Sequence, residues 1–100
     1  MASVKLEADT RQHSNLPFDA DVVVTGAPAG AKVTATLSQT RGRPSLWGPK
    51  SQTSLVGGSG SVTFTFNVTL QGPTLAVLLA EVTDDQDTPY PSDAETIEVL

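Results

Sequence analysis

The side chains that could do chemistry in this chain are few and scattered. The chain has no cysteine and one histidine, His13, so it offers no thiol nucleophile and no group of histidines for a metal ion. Ser59, within Gly57-Gly58-Ser59-Gly60, has a serine and not a glycine two positions after it. It therefore does not match the G-x-S-x-G turn of serine hydrolases. We predict that the protein is not an enzyme and has no cofactor.

One acidic cluster could in principle bind a cation. Asp84, Asp85 and Asp87 lie within four residues, and carboxylate oxygens are the ligands that calcium prefers. However, the cluster is interrupted by Gln86 and lacks the spacing and the glycine of an EF-hand loop. The sequence therefore favours a solvated acidic turn, and we predict no metal site.

The charge distribution limits the partners. The net charge is -5, and residues 81–100 contain seven acidic and no basic residues. Residues 22–80 contain four basic residues and no acid. Overall acidity argues against nucleic acid, and no segment approaches the ~20 apolar residues of a membrane span. Since the start of the chain lacks a signal-peptide pattern and cysteine is absent, we expect synthesis in a reducing cytoplasm.

Alternating apolar and polar residues indicate strands with one buried face. In residues 62–70 every second residue is apolar, and residues 4–9 and 33–37 repeat the pattern. The sequence predicts one domain over residues 1–100, an all-β sandwich of about seven antiparallel strands with no disulfide. The predicted strands are 3–9, 18–25, 32–38, 52–56, 61–70, 74–83 and 94–100, and residues 10–17 are expected to be a polar loop.

Strand register decides which side chains are buried. In strand 18–25, burying Ala20, Val22 and Val24 leaves Asp19 and Asp21 in water, and a slip by one residue would bury both carboxylates. The first candidate contact surface also depends on strand register. If the even-numbered residues of strand 74–83 are buried, an apolar stripe of Leu75, Val77 and Leu79 faces outward, and such stripes often mark contact surfaces. The alternatives are a stripe covered by a loop and the opposite register.

A second candidate contact surface is the long loop over residues 39–50. Arg41, Arg43, Leu46 and Trp47 lie there, and Arg and Trp are enriched among the residues that dominate binding energy. In the alternative interpretation, Trp47 folds back to close the edge of the sandwich while the arginines are solvated, since Trp is usually buried for the most part. The two interpretations are equally consistent with the sequence.

Three passages resemble bacterial and phage immunoglobulin-like domains. They are Thr25 to Leu37 (TGAPAGAKVTATL), Gly60 to Phe66 (GSVTFTF) and the pair of segments Ala80 to Asp85 and Glu95 to Val99. They resemble the passage from the second to the third strand, the fifth strand and the final hairpin of such domains. Antibody-type domains differ in having a cysteine pair.

The resemblance implies a binding role without chemistry. Immunoglobulin-like domains of this kind include phage capsid decoration proteins, which are head accessory proteins, so we expect a virion structural protein that docks on major capsid subunits or another virion protein. Its location would be the virion. The alternative is a tail-associated, cell-surface or carbohydrate-binding module, in which Trp47 and Tyr90 would stack on host surface glycans. Fold alone does not decide between them.

Overall fold

A computed structural model describes residues 2–43 and 47–100, and every regular element in these ranges is a β-strand. No helix capable of spanning a membrane is found in the described part of the chain. The all-β prediction is therefore confirmed. The eight strands are β1 (Ser3–Glu7), β2 (Arg11–Gln12), β3 (Phe18–Thr25), β4 (Lys32–Arg41), β5 (Lys50–Leu55), β6 (Val62–Val68), β7 (Thr74–Asp84) and β8 (Asp93–Val99).

The strands form two sheets. The three-stranded sheet has the order β1-β3-β6, and the five-stranded sheet has the order β2-β8-β7-β4-β5. All pairs are antiparallel except β2 with β8, which are parallel. The prediction of antiparallel strands is therefore confirmed for the seven longer strands.

The core lies between the sheets and follows the alternation of the sequence. Ala20, Val22 and Val24 of β3 are fully buried, whereas Asp19 stays exposed. Phe64 and Phe66 of β6 are each 2% exposed, and full burial of a side chain of this size stabilises the fold by roughly 1.5–3 kcal/mol. The predicted register of both strands is therefore confirmed.

The polar segment 10–17 differs from its prediction as a loop, because it contains strand β2. The backbone N–H of Glu98 donates to the carbonyl of Thr10 at 2.7 Å, and the N–H of Leu100 donates to the carbonyl of Gln12 at 2.8 Å. This pairing depends on backbone bonds and on an ion pair between exposed side chains, Arg11 and Glu98, so it leaves no apolar alternation in the sequence. Strand β4 also continues to Arg41, beyond the predicted end at residue 38, through an irregularity between Gln39 and Arg41.

Side chains from the edge of the five-stranded sheet cover the free edge of β6. The ammonium of Lys50 donates to the carbonyl of Asn67 at 2.7 Å, and the amide of Gln52 donates to the carbonyl of Thr65 at 2.6 Å. These carbonyls point away from β3, so they would otherwise be available to another strand. Strand β5 thus ties the two sheets together along one side of the sandwich.

Candidate docking surface

An apolar stripe runs along the outer face of the five-stranded sheet. Leu75 is 63% exposed, and Val77 and Leu79 are half-buried on the same face of β7. Their neighbours Ala76 and Leu78 have no exposed surface. The predicted outward register is therefore correct, and the exposure of Leu75 excludes a loop covering that end of the stripe.

Arg41, which the sequence predicted in a loop and the structure places at the end of β4, lies beside this stripe. Arg41 is the register partner of Val77 across the β4–β7 pair, after the irregularity that follows Gln39. Since residues paired across two antiparallel strands share a face, Arg41 lies on the outer face. Arg43 follows, and its Nε donates to the carbonyl of Pro73 at 3.2 Å, next to the start of β7.

The two candidate surfaces predicted separately from the sequence are therefore partly one surface. We call Arg41, Arg43, Leu75, Val77 and Leu79 the docking surface. Neither arginine forms an ion pair with a carboxylate of the residues described here, in contrast to Arg11, whose Nε lies 3.1 Å from Oε1 of Glu98. The docking surface combines exposed apolar area with two guanidinium charges that the described residues leave unneutralised.

The start of the loop is held in place by one side chain. The amide nitrogen of Gln39 donates to the carbonyls of Arg41 and Arg43, at 3.0 and 2.9 Å. Gly42, between the two arginines, has a φ of 117° and lies directly against Ala76. The backbone that carries both arginines is therefore fixed on the end of β7, which limits the entropy lost when a partner binds.

Trp47 lies away from the docking surface. It is half-buried, it packs against the core, and its indole N–H donates to the carbonyl of Thr69 at 2.9 Å. This geometry corresponds to the interpretation in which Trp47 folds back on the sandwich. Leu46, the remaining residue of the predicted loop surface, lies outside the described residues. Tyr90 is also half-buried and packs against the core, so both aromatic rings proposed to stack on glycans are engaged internally.

The outer face of the three-stranded sheet has a different character. The hydroxyl of Thr65 donates to Asp21 at 2.8 Å, and the amide of Asn67 donates to Asp19 at 3.1 Å. Polar side chains on this face thus bond to their neighbours across strands. Exposed large apolar side chains are absent from the strands of this sheet within the described ranges. Among the strands of the two sheets, large exposed apolar side chains therefore occur only in the five-stranded sheet within the described ranges, and Leu16 and Leu100 are exposed outside the strands.

The acidic loop is organised by its own backbone. One carboxylate oxygen of Asp84 accepts the N–H groups of Gln86 and Thr88, both at 2.9 Å. Across residues 2–43 and 47–100, no three His, Asp or Glu side chains are grouped so that they could hold a metal ion. The bonds of Asp84 fix the shape of the turn, as expected for an aspartate at a turn position.

Comparison with known proteins supports the fold and nothing finer. No protein-family model matches the chain, and no curated protein matches it in sequence. Among solved structures, the chain is similar to macromomycin, with a TM-score of 0.60 and 13% identity over 100% of both chains. It is also similar to a superoxide reductase (neelaredoxin) from Ignicoccus hospitalis, with a TM-score of 0.61 and 21% identity over 98% of this chain and 80% of that one. At these identities the likeness concerns the path of the backbone alone.

Proposed function

We propose that the protein is a phage virion structural protein, a capsid decoration protein that docks on major capsid subunits through the docking surface. The observation that carries this proposal is the one-sided distribution of exposed apolar and unneutralised basic groups. On the outer face of the five-stranded sheet, Leu75 with Val77 and Leu79 offers apolar area and Arg41 offers charge, while Arg43 adds a second charge beside Pro73, next to the start of β7. The outer face of the other sheet is polar and bonded to itself.

The sheet orders support an immunoglobulin-like assignment, which is part of the same proposal. With the seven longer strands lettered A to G in chain order, sheets β1-β3-β6 and β8-β7-β4-β5 become A-B-E and G-F-C-D, so the fourth strand lies beside C and not beside E. Immunoglobulin-like sandwiches place C, F and G in one sheet opposite A, B and E, and variable-type domains add C′ beside C. Strand β5 occupies that C′ position.

The apolar area and the guanidinium groups of the docking surface would bind most favourably to a protein surface that offers apolar side chains and carboxylates. Removing exposed apolar area from water yields roughly 25 cal/mol per Å², so a largely exposed side chain such as Leu75 can contribute about 1 kcal/mol or more. A guanidinium fits a carboxylate with two parallel hydrogen bonds. A capsid subunit that places carboxylates against Arg41 and Arg43 would satisfy both requirements. The engaged rings of Trp47 and Tyr90 make the glycan-binding alternative less favourable.

The first test is a quantitative mass-spectrometric inventory of purified virions from the source. Dozens to hundreds of copies per particle are expected for a protein that decorates the capsid lattice. A few copies would place it at the tail or a vertex. Its absence from particles, with recovery in the cell-surface fraction, would overturn the proposal in favour of adhesion.

The second test measures binding of the purified protein to particles that lack it. Leu75→Asp is expected to weaken binding at least ~10-fold, because it replaces the most exposed apolar side chain of the docking surface with a carboxylate. Thr63→Asp, a matched change on the exposed face of β6 in the other sheet, is expected to have no effect. Equal affinities of the two variants would contradict the docking surface. Binding should also weaken with added salt, since Arg41 and Arg43 act through charge.

A further inference from the structure

Strand β5 has an unprotected outer edge. All six of its residues are exposed, and it is the last strand of the five-stranded sheet. Natural sheets usually protect such an edge with a charged side chain, a proline, a bulge or a covering segment. Strand β5 contains no proline, and its one charged side chain, Lys50, is turned inward to the carbonyl of Asn67.

The hydrogen-bonding pattern identifies the free backbone groups. Lys32 of β4 is the register partner of Leu55 of β5, so the next two residues, Ala31 and Val56, are also opposite each other. The N–H of Val56 donates to the carbonyl of Ala31 at 2.8 Å. Because backbone groups alternate sides along a strand, the even-numbered residues of β5 bond to β4. The N–H and carbonyl groups of Ser51, Thr53 and Leu55 therefore point outward. Among them, the described residues provide a partner only for the carbonyl of Leu55, which accepts a long bond of 3.4 Å from the hydroxyl of Ser54.

The other edges of the sandwich are already occupied or short. On β6, the carbonyls of Thr65 and Asn67 accept side-chain bonds from β5. On β1, the outward N–H of Leu6 donates to Asp93. Strand β2 has two residues. Within the described ranges, β1 and β6 each have side-chain bonds from the opposite sheet to their outward backbone groups, whereas no bond from the opposite sheet reaches the outward backbone groups of β5.

Hydrogen bonds from the side chains of β5 to neighbouring strands fix its position. On the outer face of the sheet, the hydroxyl of Ser51 bonds to the hydroxyl of Thr36 at 2.9 Å, and the hydroxyl of Thr53 bonds to the hydroxyl of Thr34 at 2.8 Å. The inward side chain of Gln52 bonds to β6 at 2.6 Å. A strand that is fixed from both faces loses little conformational entropy when a further strand is added.

We propose that β5 pairs with β5 of a second copy of this chain, antiparallel and centred on Thr53. In this register every outward N–H of Ser51, Thr53 and Leu55 meets an outward carbonyl of the other copy. A register centred on Gln52 would pair Leu55 with Pro49, which has no N–H to donate. The pairing strand is uncharged from Ser51 to Leu55, so no like charges meet. Leu55, which is 63% exposed, gains a neighbour in Ser51 of the second copy.

The symmetry of this pairing has a functional consequence, which rests on the proposed function. Two identical antiparallel strands are related by a two-fold axis perpendicular to the sheet, so both outer faces point the same way. The two docking surfaces of the dimer would then face one target together. Because a small interface binds weakly, the dimer would be populated mainly where copies are concentrated, as on a lattice of binding sites.

The test uses the chain alone, by sedimentation equilibrium from about 20 µM to about 2 mM. Because Thr53 faces Thr53 of the second copy across the axis, like charges there would repel. Thr53→Lys and Thr53→Glu are each expected to weaken self-association at least tenfold, and an equimolar mixture of the two is expected to restore it. The same pair of changes at Thr63 serves as the matched control and should have no effect in either form.

A second readout is hydrogen exchange at individual amides, measured by NMR at the two ends of that range. Protection of the Thr53 and Leu55 N–H groups should rise with concentration, whereas Gln52, which already bonds to β4, should not change. A monomer throughout, or a dimer unaffected by the charges at residue 53, would overturn the proposal. Leu75→Asp is expected to leave the dimer intact, so a failure of docking and a failure of dimerisation can be told apart.

Discussion

The carboxylate of Asp93 joins the two sheets at the side of the sandwich opposite β5. One oxygen accepts the backbone N–H of Leu6 at 2.8 Å, and the other accepts the N–H of Ala94 at 3.0 Å. Leu6 belongs to the three-stranded sheet and Asp93 to the five-stranded sheet. A single side chain thus links β1 to β8, which are 87 residues apart in the chain at this point.

Replacing this carboxylate should destabilise the domain. Asp93→Ala leaves the partly buried N–H of Leu6 without an acceptor, and we expect the free energy of unfolding to fall by about 1–3 kcal/mol. Asp93→Asn retains one acceptor oxygen and should cost less. The measurement is urea unfolding followed by far-ultraviolet circular dichroism. Asp85→Ala, at an exposed position in the acidic loop, is the control, and equal losses for Asp93→Ala and Asp85→Ala would show that the bond contributes nothing.

Trp47 should contribute to stability through its ring and its indole N–H. Trp47→Ala removes a half-buried ring from the core, with an expected loss of roughly 2–3 kcal/mol, less than for a fully buried Trp. Trp47→Phe keeps an aromatic ring but removes the bond to the carbonyl of Thr69, with an expected loss of about 1 kcal/mol. Leu16→Ala, at a position that is 56% exposed, serves as the control in the same unfolding measurement. A Trp47→Ala variant as stable as Leu16→Ala would contradict this role.

Gly42 should not tolerate a side chain. A Cβ at this position would lie 3.0 Å from both Cα and Cβ of Ala76, and the φ of 117° disfavours any residue other than glycine. We expect Gly42→Ala to destabilise the protein by about 1–3 kcal/mol and to displace the arginines of the docking surface. Gly58→Ala, where a Cβ would meet nothing within 4 Å, is the matched control. Thermal unfolding of both variants provides the comparison, and similar melting temperatures would refute the constraint.

Sequence reasoning succeeded where one face of a strand is buried. The alternation in β6 predicts that Phe64 and Phe66 point inward, and both are 2% exposed. In β6 the signal is a free-energy difference between two registers that differ by one residue, because burying the wrong set would expose every apolar side chain of the strand. Strand β7 has apolar side chains on both faces, so the sequence left both of its registers open, and the structure has the one in which Leu75 faces outward.

Sequence reasoning failed where the structure depends on backbone bonds or on neighbours across the two sheets. Strand β2 was missed because its backbone bonds to β8 place no demand on side-chain type. The contacts of Lys50 and Gln52 with β6 could not be foreseen, because an alternation shows which face a residue occupies but not which strand lies beside it. For the same reason, the sequence predicted the arginine loop and the apolar stripe as separate surfaces, and only the register of β4 with β7 brings Arg41 beside Val77.

The position of β8 within its sheet also constrains how the chain folds during synthesis. Strand β2 is made early, but its partner is β8, which leaves the ribosome after every other strand. The bond from Leu6 must likewise wait for Asp93. Until then the growing chain can form the pairs among β3, β4, β5, β6 and β7, while β1 lacks its link to the opposite sheet. The nascent domain therefore remains open on one side until its last strand arrives, and such late, long-range closure is a stage at which β-rich chains are exposed to misassembly.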